Sequence, residues 1–159
     1  MDHYLVRIIN DIFQICHGYR NHRFRSGYDY GFSRDIQYIL KNTDLNAYLL
    51  LKIYLTEESE EYIRNDLKCE LIRELARVDN LSSHDIRLLV IESCITSRSY
   101  TIRDSAILAI SDMSDIRSLP VLEKAYQMET FVDLKKDISQ AIKELEDIKR
   151  DLNTPISNI

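Results

Sequence analysis

The sequence predicts an all-α protein, and three observations support this fold class. Apolar residues recur at steps of three and four along most of the chain, as they do on one face of an α-helix. The 159 residues include 3 Gly and 2 Pro, too few for the many turns of an all-β sandwich or barrel. Apolar residues make up 45% and charged residues 30%, the balance of a single globular domain.

Four helices are expected in the first half of the chain. Residues 4–16 carry an amphipathic apolar stripe, and further helices are predicted at 33–41 and 44–55. An acidic cluster at 57–61 complements the positive end of a helix dipole. We therefore expect it to form the first turn of a fourth helix that continues to about Val78.

Four helix starts are expected in the second half. At three of them a hydroxyl residue precedes an acid by three positions, so that the hydroxyl can cap a free backbone N–H while the acid reaches back to the cap. The fourth start is expected at Ser114 or Asp115, with Pro120 in the first turn. The three hydroxyl–acid pairs are Ser82 with Asp85, Thr101 with Asp104, and Thr130 with Asp133.

An internal repeat links two of these helices. Residues 134–145 repeat the apolar pattern of residues 102–113, with a small residue shared at Ala109 and Ala141. A weaker copy of the pattern lies at 63–71, where Glu70 takes the place of the small residue. A repeat of this length is typical of stacked helix pairs.

The stretch TIRDSAILAISDMSDIRSLPVLEKAYQ, followed by DLKKDISQAIKEL, resembles HEAT repeats. In that family the second helix of each pair begins with an apolar and a basic residue, a place that Arg103 and Lys135 match. Asp112 and Asp115 resemble the acidic turn between repeats.

The resemblance covers about 82–147, is weaker over 33–78 and is absent from 1–32. It implies an all-α, right-handed superhelical stack of about eight helices with a concave surface, which in this family most often binds protein and performs no chemistry. We expect one helical-repeat domain over 1–152 and a flexible tail over 153–159.

Residues 17–32 interrupt the helical pattern. Gly18, Gly27 and Gly31, which are all the glycines of the chain, lie here with five aromatic residues and three arginines. A long connection in a chain of short turns is usually functional, and Tyr and Arg dominate interface hot spots. The residues expected to bind a partner are Tyr19, Arg20, Arg23, Arg25, Tyr28 and Tyr30.

Two other interpretations of 17–32 remain open. The aromatic residues can cap the open end of the helix stack, with the arginines paired to acids such as Asp29 and Asp35. Alternatively, the mixture of arginine and aromatic residues can stack on bases or hold a phosphate. The net charge of −5 argues against a nucleic-acid partner.

Cysteine and histidine give no sign of a metal site. Cys16, Cys69 and Cys94 form no CxxC pair, and we interpret them as buried free thiols in a reducing cytoplasm. A structural zinc site needs four ligands, and only Cys16, His17 and His22 lie near one another in the sequence. We expect no metal and no cofactor.

These observations favour a cytoplasmic, non-catalytic protein-binding module. The chain has no HExxH, GxSxG or GxxxxGK[ST] motif, and no apolar stretch approaches the roughly 20 residues that span a bilayer. An acidic helical protein of this kind fits an inhibitor or immunity-type protein that occludes a basic toxin or effector. The alternatives are nucleic-acid binding through 17–32, or a small-molecule carrier or enzyme that uses the concave groove.

Overall fold

A computed structural model of the chain describes residues 3–21, 30–57 and 63–153, and these ranges contain eight α-helices, two short 3-10 turns and no strand. The all-α class and the expected number of helices are therefore confirmed. The helices are α1 (His3–Gly18), α2 (Tyr30–Lys41), α3 (Leu45–Thr56), α4 (Asn65–Arg77), α5 (His84–Cys94), α6 (Tyr100–Met113), α7 (Leu119–Met128) and α8 (Val132–Asn153).

Two of the predicted helix starts carry a side-chain cap. Asp44 precedes α3, and its side chain accepts a hydrogen bond of 2.7 Å from the backbone N–H of Asn46. Asp115 precedes the 3-10 turn that leads into α7, and it accepts in the same way from the N–H of Arg117 at 2.9 Å. Ser114, with a φ of 53°, closes α6 in the left-handed conformation just before this start.

The prediction that residues 57–61 form the first turn of α4 is wrong. Helix α3 ends at Thr56, and α4 begins only at Asn65. The acid in the first turn of α4 is Asp66, whose negative charge complements the helix dipole. The Nε of Arg64 donates a hydrogen bond of 3.0 Å to the Oδ1 of Asp66. Glu58, Glu60 and Glu61 lie outside the described residues.

The three hydroxyl–acid pairs mark helix starts to within two residues, but none of their hydroxyls caps a helix. At the first start, the side chain of Asn80 accepts from the N–H of Ser82 at 3.0 Å. At the last, Glu129 accepts from the N–H groups of Thr130 and Phe131 at 2.8 and 3.0 Å. Longer polar side chains one or two residues upstream reach these N–H groups instead. Helix α6 begins after Ser99 without a side-chain cap.

The helices pack in two rows. Helices α1, α3 and α5 contact one another in sequence along one row, and α2, α4, α6 and α8 do so along the other. Helix α7 packs on α8 but makes almost no direct contact with α5. The first row is therefore continuous up to α5 and opens between α5 and α7.

The aligned positions of the internal repeat lie in the core. Both members of three aligned pairs are buried, and these include the two small residues. The buried residues are Ile102, Ala106 and Ala109 in α6, and Leu134, Ile138 and Ala141 in α8. Met113 and Ile142, from the other two pairs, are partly buried against the core.

The three cysteines are buried and unpaired, as the sequence predicts. Burial raises the pKa of the thiols of Cys16 and Cys94 to about 12, so both remain protonated at neutral pH. They act as small apolar core residues. Within the described part of the chain, no helix is both long and apolar enough to cross a membrane.

A buried arginine holds the end of α4 to the start of α5. Arg87, 3% exposed, donates to the backbone carbonyls of Leu75 and Asn80 at 2.7 and 3.0 Å and to the Ser83 hydroxyl at 3.1 Å. Its positive charge lies beside the free carbonyls at the negative end of α4. The side chain therefore satisfies polar groups that the turn would otherwise bury without partners.

We expect Arg87→Met to lower the free energy of unfolding by about 2–4 kcal/mol, because it leaves buried carbonyls without donors while nearly preserving side-chain length. Urea unfolding at pH 7 measures this change. The control is Arg34→Met, at a side chain that is 78% exposed, where we expect almost no change. Equal effects of the two substitutions would contradict a stapling role for Arg87.

Candidate functional site

The predicted partner-binding segment 17–32 is only partly irregular. Its first two residues end α1, and its last three begin α2. Tyr19 is half-buried, and its ring meets the buried ring of Phe32 edge-on at 5.2 Å. For these two aromatic residues the contact favours the structural alternative, in which they close the end of the stack.

Of the other residues predicted to bind a partner, Arg20 and Tyr30 lie in the described part of the chain and the remaining three do not. Arg20 is exposed, and its backbone carbonyl accepts a hydrogen bond from the guanidinium of Arg64. Asp35, an expected partner of the segment's arginines, pairs with Arg34 at 3.0 Å. Tyr30 is the first residue of α2. The predicted contacts Arg23, Arg25 and Tyr28 lie outside the described residues.

The candidate metal ligands do not form a cluster where the structure describes them. Cys16 is buried, whereas its neighbour His17 is exposed. His22 lies outside the described residues. Across 3–21, 30–57 and 63–153, no group of three His, Cys, Asp or Glu side chains is placed to hold a metal ion.

An aromatic pair surrounded by carboxylates lies on the second row of helices. The ring of Tyr100, 38% exposed at the start of α6, meets the ring of Phe131, 55% exposed, at a centroid distance of 5.5 Å. Burial raises the pKa of Tyr100, and the nearby carboxylates Asp104, Asp137 and Asp133 raise it further. We call these five residues the Tyr100 patch.

The charges of the Tyr100 patch repel one another. Burial raises the pKa of Asp104, and the neighbouring negative charge of Asp137 raises it further, whereas Arg73 opposes the shift. A cation brought to the patch would relieve this repulsion. Asp133 pairs with Lys136 at 3.2 Å and Arg73 acts on Asp104, so the patch combines exposed aromatic surface with three carboxylates that are only partly balanced by cations.

A second candidate site is the gap between α5 and α7, which we call the α5–α7 groove. Its volume is about 740 Å³. Val121 and Ala125 on α7 and the exposed Met128 give it an apolar wall, and the buried Ile95, which follows α5 directly, lines the opposite side. Ile107 of α6 and Ile138 of α8, each 1% exposed, also line it; these are its most deeply buried side chains.

One end of the groove is held by an arginine that joins two turns. The guanidinium of Arg103 donates to the backbone carbonyls of Ser97 and Arg98 at 2.9 and 3.1 Å, and to both carboxylate oxygens of Glu129 at 2.8 and 3.2 Å. The side chains of Arg103 and Glu129 are 14% and 5% exposed. This two-pronged ion pair fixes the α5–α6 turn against the α7–α8 turn.

Glu129 remains ionised in this position. Burial acts to raise its pKa, but the hydrogen bonds from Arg103 and from the N–H groups of Phe131 and Thr130 outweigh burial and hold the pKa below its ordinary value. The ion pair therefore persists at neutral pH. It keeps Phe131 in place, where that ring borders both the Tyr100 patch and the α5–α7 groove.

A third exposed feature is an apolar stripe on α3. Nine of the twelve residues of this helix are apolar, and Leu45, Leu49 and Ile53 remain 50, 43 and 56% exposed at four-residue steps. The apolar excess of 44–55 is visible in the sequence, so this stripe was predictable. The Tyr100 patch and the α5–α7 groove were not, because each joins residues from several helices.

Comparison of the chain with known proteins finds no matching family, no matching curated protein and no matching solved structure. The functional argument therefore rests on the geometry of these sites.

We expect Glu129→Gln to lower the free energy of unfolding at pH 7 by about 1–3 kcal/mol, because Arg103 loses its charged partner in a mostly buried place. The folded-state pKa of Glu129 is depressed, so this stabilisation is present above the unfolded pKa of about 4.5 and is lost as pH falls through the folded value. The difference between wild type and variant should therefore shrink below pH 4.5.

Urea unfolding of both proteins between pH 3 and pH 7 measures this difference. Glu123→Gln, at an exposed carboxylate of α7, is the matched control and should change stability little at any pH. A Glu129→Gln penalty that stays constant down to pH 3 would contradict the ion-pair assignment.

Proposed function

We propose that this chain is a HEAT-like helical stack that acts as a non-catalytic protein-binding module and that its Tyr100 patch docks a basic partner protein. The observation that carries the proposal is the exposed Tyr100–Phe131 pair with three carboxylates around it. Aromatic residues dominate the energy of protein interfaces, and complementary charge supplies orientation and a fast encounter. An inhibitor or immunity-type protein that covers a basic active site is the specific role that fits this chemistry.

Two further observations support the choice of this surface. The chain carries a net charge of −5, which attracts a basic partner from a distance. The Tyr100 patch also lies on a rigid part of the fold, because the Arg103–Glu129 pair anchors the turn that carries Phe131. A preformed patch loses little conformational entropy on binding.

The first test is capture of partners from the native host with the intact chain and its variants. We expect Tyr100→Ala to weaken capture of the specific partner by about 2 kcal/mol, or roughly 30-fold in affinity, as for an aromatic hot spot. Tyr126→Ala is the matched control, since Tyr126 is 39% exposed and lies on α7 outside the patch. The captured protein should be basic, and capture should weaken as salt rises.

The outcomes of the capture experiment separate the candidate surfaces. Retention of the partner by Tyr100→Ala would overturn the Tyr100 patch. Loss on Leu49→Asp alone would place the partner on the α3 stripe, and loss on charge reversal of Arg20, Arg23 and Arg25 alone would place it on 17–32. Capture that disappears after nuclease treatment would support nucleic-acid binding instead.

A second prediction is that Asp104→Asn changes stability and partner binding in opposite directions. Because the pKa of Asp104 is raised in the folded state, its stabilising contribution is complete below the unfolded value of 3.8 and is lost as pH rises through the folded value. Asp104→Asn should therefore raise the free energy of unfolding at pH 7, by roughly 0.3–1 kcal/mol, while it weakens partner capture.

Thermal or urea unfolding and partner titration of the same preparation test this opposition. Asp112→Asn, at an exposed carboxylate of α6 outside the patch, is the control and should alter neither quantity appreciably. A purely structural role for Asp104 would instead produce a variant that is less stable and binds its partner normally.

A further inference from the structure

The α5–α7 groove is a gap between two helices of a row that is otherwise closely packed. Helix α5 packs along α3 on one side but almost fails to touch α7 on the other. Val121, Ala125 and the exposed Met128 give the gap an apolar surface above the buried Ile107 and Ile138, and its volume of about 740 Å³ lies within the usual range of small-molecule sites. An apolar body that enters this gap would displace water from both walls.

The groove has a closed end. The α5–α6 turn, with Ser97 and Arg98, and the α7–α8 turn, with Glu129 and Thr130, both line it. Arg103 binds both turns and holds them together at this end. A helix passing through the groove would need both ends open, so this geometry favours a short ligand over a peptide segment.

The charges of the groove favour an anion. Three cationic side chains and two carboxylates line it, and one of each, Arg103 and Glu129, form an ion pair. The other carboxylate, Glu92, accepts a hydrogen bond of 2.7 Å from the buried hydroxyl of Ser118. Arg98 and Lys124, both exposed, are the cations at the rim. The groove is thus slightly basic in a chain whose net charge is −5.

We propose that the α5–α7 groove binds a small amphipathic anion, a molecule with an elongated apolar body and one carboxylate. The apolar body lies along Val121 and Ala125 of α7, and the carboxylate meets the exposed ammonium of Lys124 at the rim. This site adjoins the Tyr100 patch at Phe131, but the residues that would hold the ligand do not belong to the patch. It gives the chain a second binding function that is specific for ligand charge.

The test uses two probes of equal length and opposite charge, decanoate and decylammonium, below their micelle concentrations. Isothermal titration of the intact chain at low salt should show saturable binding of decanoate and at least tenfold weaker binding of decylammonium. Lys124→Glu combined with Arg98→Glu should reduce decanoate affinity about tenfold or more. Lys143→Glu, an exposed cation of α8 outside the groove, should leave it unchanged.

A second variant tests the location of the apolar body. Ala125→Phe places a ring in the groove and should abolish decanoate binding, whereas Gln127→Phe adds the same ring to an exposed position of α7 and should not. Thermal unfolding confirms that each variant is folded, and Ala125→Leu, a smaller groove-filling change that should also weaken decanoate binding, is used if Ala125→Phe fails to fold. Equal affinity for the two probes, or binding that survives a folded groove-filling variant, would overturn the proposal.

The outcome is independent of the Tyr100 patch. Tyr100→Ala should bind decanoate normally, and Ala125→Phe should still capture the protein partner. If decanoate does not bind while Ala125→Phe abolishes partner capture, the groove receives a segment of the partner, and the small-molecule site is wrong.

Discussion

The close packing of α6 within the second row of helices constrains the rest of the structure. Helix α6 contacts α4, α5 and α8, and it buries small residues at Ser105, Ala106 and Ala109. Small side chains let neighbouring helices approach closely, and the Cys69 thiol on α4 reaches the backbone carbonyl of Thr101 at 3.3 Å. A larger residue at these positions would push the neighbouring helices away from α6. The Tyr100 patch and the groove residue Ile107 both depend on the placement of this helix.

Arg87 and Arg103 have a similar structural role, because each donates hydrogen bonds to backbone carbonyl groups near the turn between two helices. Arg87 donates to carbonyls at the end of α4, and Arg103 donates to carbonyls of the turn that follows α5. Each satisfies backbone carbonyl groups of a turn between helices, and Arg87 also lies at the negative end of the α4 dipole. Only Arg103 adds a buried carboxylate, Glu129, and this addition ties the last helix pair to the preceding one.

The Arg103–Glu129 ion pair lies next to the point where the Tyr100 patch and the α5–α7 groove adjoin. Phe131 follows Glu129 by two residues, and its ring contacts Tyr100 while it also borders the α5–α7 groove. One side of this ring thus belongs to an acidic aromatic surface suited to a basic protein, and the other belongs to an apolar groove with cations at its rim. Opposite electrostatic preferences at neighbouring sites allow a protein and a small anion to be recognised separately.

The sequence by itself determined the helices and the burial of the positions shared by α6 and α8, because periodicity is a property of neighbouring residues. It also located the helix start at Asp44 and narrowed another to Ser114 or Asp115, since an N-cap acts within two or three residues. It misplaced the start of α4 and the caps at Ser82, Thr101 and Thr130. At Ser82 and Thr130, other polar side chains bind the same N–H groups. Tertiary structure alone decided the Tyr100 patch, the α5–α7 groove and the Arg103–Glu129 pair, because their members lie as many as 46 residues apart in the sequence and meet only when the helices pack.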